Sequence, residues 1–108
     1  MLLTGQKQDG SLLTVRLKAI AVGKPATIGR GDEATVTVDD PKCSRIHCAI
    51  RYWDDIFVIK DAGSSNGTHL NGERIEVAKL NPGDVIKIGD TELNASAEGT
   101  SRDVTMGM

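Results

Sequence analysis

The residues able to do chemistry here are an arginine set between glycines, two hydroxyl-bearing stretches and a closely spaced pair of Asn-Gly dipeptides. The run Asp61-Ala62-Gly63-Ser64-Ser65-Asn66-Gly67-Thr68-His69-Leu70-Asn71-Gly72 holds both dipeptides. Asn-Gly is the pair best able to hold the positive φ angles of a tight turn, so the run reads as turn, very short strand, turn. Gly63, Ser64 and Ser65 add small hydroxyls and an open backbone whose N–H groups can face an anion. Arg30 lies between Gly29 and Gly31, which turns the backbone and presents the guanidinium from a loop. Ser44 and Arg45 stand at the loop end of another strand, just after Asp39-Asp40-Pro41. A guanidinium fork, hydroxyl donors and free backbone N–H groups are what a phosphate-like oxyanion needs around it.

Those groups require a scaffold, and the composition limits its kind. The chain of 108 residues fits one domain with one core. With one Phe, one Tyr and one Trp, the core must be built mainly from Ile, Leu, Val and Ala. A net charge of −2 and a pI of ≈ 5.6 give no long-range pull toward nucleic acid or anionic lipid, so an anion site must be local. No apolar run approaches the roughly 20 residues that span a bilayer, and the N-terminus lacks the basic-then-apolar order of a signal peptide. A cytoplasmic protein with no nucleic-acid or membrane partner is the expectation. Cys43 and Cys48 are not spaced as Cys-x-x-Cys, lack a second pair and flank a histidine on the opposite strand face. They read as small core residues, and no metal or cofactor is expected.

Strand periodicity dominates the chain. Met1 to Gly10 reads as a lead-in contributing an edge strand. Leu13, Val15, Leu17 and Ala19 alternate with Leu12, Thr14, Arg16 and Lys18. Further strands are expected through Ala26 and Ile28, from Thr35 to Val38, and from Ile46 onward with Ile46, Cys48, Ile50 and Tyr52 on one face and His47, Ala49, Arg51 and Trp53 on the other. Asp54-Asp55 turns the chain into Ile56 to Lys60. Glu73 to Val77 is expected as the far arm of the Asn71-Gly72 hairpin, Leu80 to Asp84 as a turn, and Val85 to Ile88 and Thr91 to Ala95 as the last strands. This predicts an all-β, antiparallel β-sandwich of about ten to eleven short strands. Residues 1–95 are the expected domain and residues 96–108, small, polar and patternless, a flexible tail or linker.

Four pieces in order, Gly29-Arg30, Ser44-Arg45-x-His47, Gly63-Ser64-Ser65-Asn66-Gly67-Thr68 with Asn71-Gly72, and Leu80-x-x-Gly83-Asp84-x-Ile86-x-Ile88-Gly89, resemble the forkhead-associated (FHA) domain. The resemblance runs from about Val15 to Ala95. It implies an FHA/SMAD-like sandwich that binds phosphothreonine peptides, with a threonine-phosphorylated protein, the product of a Ser/Thr kinase, as partner. A phosphate ester carries about −1.5 to −2 charges and three acceptor oxygens. By the resemblance, Arg30, Ser44 and Ser65 hold the phosphate and Asn66 grips the ligand backbone beside it. Arg45 either reaches the ligand or lies in solvent. Lys42, two residues before Ser44, attracts an acidic residue three places after the phosphothreonine. His47 braces the loops from behind, and Gly29, Gly67, Thr68, Asn71 and Gly72 support their backbone.

Other readings of the same residues are weaker. Ser44, His47 and Asp61 have the residue types of a hydrolytic triad, but His47 follows Ser44 too closely and no Gly-x-Ser-x-Gly elbow is present, so no enzyme is expected. A phosphate-independent scaffold of the same fold is the main alternative. Thr100-Ser101-Arg102-Asp103 would let a phosphorylated tail dock on its own or a neighbouring domain.

Overall fold

Short strands with small turns and an aliphatic core build two facing sheets. The computed structural model describes residues 1–7, 10–21 and 23–97. In chain order the elements are β1 (Leu2–Gln6), β2 (Leu12–Arg16), α1 (Leu17–Ala21), β3 (Ala26–Gly29), β4 (Val36–Thr37) and β5 (Cys48–Trp53). There follow β6 (Ile56–Asp61), β7 (Thr68–Leu70), β8 (Glu73–Ile75), β9 (Val77–Leu80), β10 (Val85–Ile88) and β11 (Thr91–Ser96). One sheet has the order β2-β1-β11-β10-β7-β8 and the other β4-β3-β5-β6-β9. Pairing is antiparallel except for β3 with β4, where Ile28 lies opposite Val36.

The inward residues of both sheets form the core. Leu3, Leu17, Ile28, Ile50, Ile59, Leu80, Ile86, Ile88 and Leu93 are all essentially removed from solvent. Period-two alternation is visible in β11, where Thr91, Leu93 and Ala95 are buried and Glu92, Asn94 and Ser96 exposed. Two tight turns have the left-handed backbone their residues favour. Asp54 and Asp55 have φ of 53° and 63° between β5 and β6, and Asn71 and Gly72 have 52° and 89° between β7 and β8.

The structure departs from the sequence reading in six places. The N-terminal strand is no edge: β1 lies between β2 and β11, with Leu3 fully buried. Gly5 permits this, because a Cβ there would sit 2.7 Å from the Glu92 carbonyl oxygen. The alternation after Leu12 ends at Arg16, and Leu17–Ala21 coils into one turn of helix. Leu-Lys-Ala-Ile-Ala has good helix propensity, and as part of this turn Leu17 is fully buried. Strand β5 starts at Cys48, leaving Ile46 and His47 in the preceding loop. Glu73 to Val77 is not one arm but crosses between sheets: β8 pairs with β7, while β9 pairs with β6. Leu80, read as turn, is the buried end of β9 opposite Phe57. Ser96 completes β11, and residues 98–108, with Thr100, lie outside the described residues.

Candidate functional site

Three loops meet at one end of the sandwich: β3–β4, β4–β5 and β6–β7. They are stitched by backbone. The Arg30 N–H donates to the Ser44 carbonyl at 2.9 Å and the Gly31 N–H to the Arg45 carbonyl at 3.0 Å. This approach is close enough that a Cβ on Gly29 would lie 2.1 Å from the Arg45 carbonyl oxygen. Glycine at position 29 is thus required by space, not by backbone angle.

The same contacts bring Arg30, Ser44 and Ser65 together. The Arg30 Nε–H donates to the Cys43 carbonyl at 3.0 Å, which aims the side chain along the β4–β5 loop. Its two terminal amino groups have no partner among the described residues. The Ser65 N–H donates to Ser44 Oγ at 3.1 Å, leaving the Ser44 hydroxyl hydrogen free to donate elsewhere. Arg30 and Ser65 are exposed and Ser44 half-buried.

His47 is fully buried behind this rim. Its Nδ1 accepts from the Ser44 N–H at 3.1 Å, so Nε2 carries the proton and donates to the Gly67 carbonyl at 2.9 Å. Its own backbone N–H donates to the Ile28 carbonyl at 2.8 Å and its carbonyl accepts from the Ala62 N–H at 3.0 Å. One residue therefore ties the β4–β5 and β6–β7 loops to each other and to strand β3. Both ring nitrogens are occupied by backbone groups, and Asp61 bonds to Ser64 and Thr68, so Ser44, His47 and Asp61 do not form a proton relay.

Asp61 organises the β6–β7 loop from its base. Oδ1 accepts from Ser64 Oγ at 2.5 Å and from the buried Thr68 Oγ1 at 2.7 Å, and Oδ2 accepts from the Gly63 and Ser64 N–H groups, each at 3.0 Å. Ser64 Oγ in turn accepts from the Gly67 N–H at 2.9 Å. Burial works against the charged form of Asp61, but the hydrogen bonds from Ser64, Thr68 and the loop backbone outweigh it and hold the carboxyl below its ordinary range. Asp40, only 1% exposed, plays the same part under the β4–β5 loop: Oδ1 accepts from the Lys42 N–H, and Oδ2 from the Asp90 N–H and Thr91 hydroxyl. There too burial is overcome by hydrogen bonds, from Thr91, Lys42 and Asp90, and the carboxyl lies low. Sequence reading missed both as supports. Each is followed within two or three residues by the N–H it accepts, which is the mark of an Asx turn.

The remaining candidates are placed as follows. Asn66 does not share the positive φ of Gly67 (87°); its Nδ2 donates to the Lys42 carbonyl at 2.8 Å, joining two of the loops. The Lys42 ammonium pairs with Asp90 at 3.2 Å, both side chains being more than half exposed. Arg45 forms a two-pronged pair with Glu33 at 2.7 and 3.1 Å rather than pointing freely into solvent. Asn71 lies away from the rim: it accepts from the Val85 N–H and donates to Asp84, fastening the β7–β8 turn to the β9–β10 turn. Gly72 serves that turn. Beside the rim an open cleft of ≈ 610 Å³ runs from Lys42, Asn66 and Asp90 past His69 and Lys87. Cys43 and Cys48 are buried free thiols, and burial pushes both up to about 12.

A β-sandwich whose loops gather an arginine, two serines and an asparagine at one rim is the architecture of a binding module. The FHA domain model matches residues 26–89, more than half of the chain, and the chain belongs to the FHA family. It is 34% identical over 90 residues to the FHA domain-containing protein FhaA of Mycobacterium tuberculosis, covering 83% of this chain and 16% of that protein. It is 37% identical over 65 residues to the glycogen accumulation regulator GarA of the same species, covering 60% of this chain and 40% of that one. The chain thus spans less than half the length of either relative. Among solved structures, one from a study of phosphothreonine-dependent FHA domain interactions superposes with a TM-score of 0.72 at 29% identity, covering 91% of this chain and 98% of the other. Mycobacterium tuberculosis EmbR in complex with a low-affinity phosphopeptide superposes with a TM-score of 0.67 at 30% identity, covering 91% of this chain and 26% of EmbR. No helix among the described residues is long and apolar enough to cross a membrane.

Proposed function

We propose that this domain binds threonine-phosphorylated peptides through Arg30, Ser44 and Ser65, and so recruits proteins marked by a Ser/Thr kinase. The observation that carries the reading is the hydrogen-bonded junction of the β3–β4, β4–β5 and β6–β7 loops at Ser44, with the terminal amino groups of Arg30 unpartnered beside it. A phosphate there would receive charge-assisted bonds from the guanidinium and neutral ones from the two hydroxyls. Asn66 keeps its Oδ1 for the ligand backbone while Nδ2 holds Lys42. Lys42, paired with Asp90, attracts an acidic residue three places after the phosphothreonine only by exchanging partners. The adjoining cleft would take the ligand residues that follow.

The test is a calorimetric titration with a degenerate phosphothreonine peptide library, against phosphoserine and unphosphorylated controls. Phosphothreonine peptides should bind and the bare controls should not. Arg30→Ala should weaken binding by roughly tenfold or more, since a hydrogen bond to a charged group contributes about 1.5–3 kcal/mol. Equal affinity for phosphorylated and bare peptides would refute the reading.

A further inference from the structure

The outer face of the five-stranded sheet carries a second pattern that the loop rim does not use. Buried pairs Ile50–Ile59 and Phe57–Leu80 alternate with Arg51–Val58, Trp53–Ile56, Lys60–Val77 and Val58–Lys79, so the latter share the face turned from the core. Thr27 and Ala49 extend it across β3. This face holds three cations, Arg51, Lys60 and Lys79, and no carboxylate at any of these paired positions, in a chain whose net charge is −2. None of the three cations is paired with a carboxylate among the described residues. Between and beside them, Trp53 is 82% exposed, Val77 61% and Ile56 40%.

Leaving the chain's one tryptophan in water contributes nothing to the core. Trp and Arg together are the residues that dominate the centres of protein interfaces, where an aromatic anchor fills a pocket and charges set the register. A second copy of the chain is the wrong occupant, because face-to-face pairing would set three cations against three. An anionic lipid surface fits poorly as well. The turn that carries Trp53 and Ile56 is Asp54-Asp55, and both carboxylates are exposed at its tip. What complements the face is a protein surface with carboxylates around an apolar spot.

We propose that this face docks an acidic protein surface without any need for phosphate. Its Trp53 end is separate from the loop rim, since β5 leaves His47 at Cys48 and reaches Trp53 about 17 Å further on. One partner could therefore engage both places, or two partners one each. The proposal does not depend on the phosphothreonine reading.

The experiment is an amide-resolved NMR titration of the domain with an unphosphorylated peptide pool rich in Asp, Glu and Leu. A matched pool carrying Asn and Gln and phosphatidylserine vesicles serve as comparisons. Saturable shifts along β5, β6 and β9, a change in Trp53 fluorescence, and weakening by added salt are expected. R51E/K79E should weaken the interaction about tenfold. R51Q/K79Q should show a smaller loss of the same sign, and Arg30→Ala should leave it intact. Thermal melts of the variants identify any that fail to fold. Shifts confined to the Arg30–Ser44 rim, equal binding of the Asn/Gln pool, binding to vesicles alone, or no shifts at all would each overturn it.

Discussion

His47 offers the strictest test of how the loops are held, because its ring is enclosed and each of its nitrogens meets a backbone group. His47→Ala removes the acceptor of the Ser44 N–H at 3.1 Å and the donor to the Gly67 carbonyl at 2.9 Å. Leaving a buried polar group unsatisfied costs about 1–3 kcal/mol, so the pair amounts to about 2–6 kcal/mol. The empty ring volume adds a further cost of about 2–3 kcal/mol. Set against a typical domain stability of about 5–15 kcal/mol, the alanine variant should be at the edge of folding. His47→Phe separates the two contributions, since it refills most of the volume and restores neither hydrogen bond. Urea unfolding should place it about 2–6 kcal/mol below the parent, with the slope unchanged. Its phosphothreonine-peptide affinity should fall with the freed Ser44 loop, tenfold for every ~1.4 kcal/mol by which the binding arrangement is disfavoured. A phenylalanine variant within about 0.5 kcal/mol of the parent would refute the bracing role, that being the range of inert surface changes.

Two other substitutions probe the same framework. Gly29→Ala drives a Cβ to 2.1 Å from the Arg45 carbonyl oxygen, so the loop must move and overpacking should cost about 3 kcal/mol. Gly72→Ala meets no atom within 4 Å at a φ of +89° and should cost only the backbone strain of about 1–2 kcal/mol. Thermal unfolding that ranked the two equally would contradict the steric account. For Asp61, a folded value below the ordinary carboxylate range means that its contribution is complete above about pH 3.9 and fades as pH falls through the lower folded value. Asp61→Asn should therefore be less stable than the parent near neutrality and decline less steeply in acid, as read from urea midpoints across that window. Parallel acid profiles for the two proteins would count against it.

The parts of this fold that could be read beforehand are those in which a local signal and the tertiary context agree. Val85–Ile88 has the alternation of a strand and is one; Asn71-Gly72 has the residues of a left-handed turn and makes one. The failures have a common origin in competition between elements. Leu17 fits the apolar face of an alternating run as well as the first position of a helix, and only the packing of its neighbours decides. The switch of sheets at Glu76 leaves no mark, because β8 and β9 are each shorter than the windows over which periodicity can be judged. At the site, the residues gathered at the rim, Arg30, Ser44, Ser65 and Asn66, announced themselves through motif and residue type. The supporting carboxylates did not, since an aspartate in a turn looks the same whether it is solvated, as at Asp54, or enclosed by four donors, as at Asp61. The pairing of Arg45 with Glu33 was equally hidden, twelve residues apart in the chain and joined only when the β3–β4 loop folds back.

Leu2 lies opposite Ser96 where β1 and β11 run side by side, at the end of the sandwich away from Arg30 and next to the Asp54-Asp55 tip. The start of β1 and the end of β11 are thus neighbours, a strand spacing of about 5 Å apart. A short bridge could join them, or both could be spliced into a surface turn of a carrier protein, with the Arg30 rim still facing outward. The unit is built like a socket whose two leads, at Leu2 and Ser96, emerge side by side at the back.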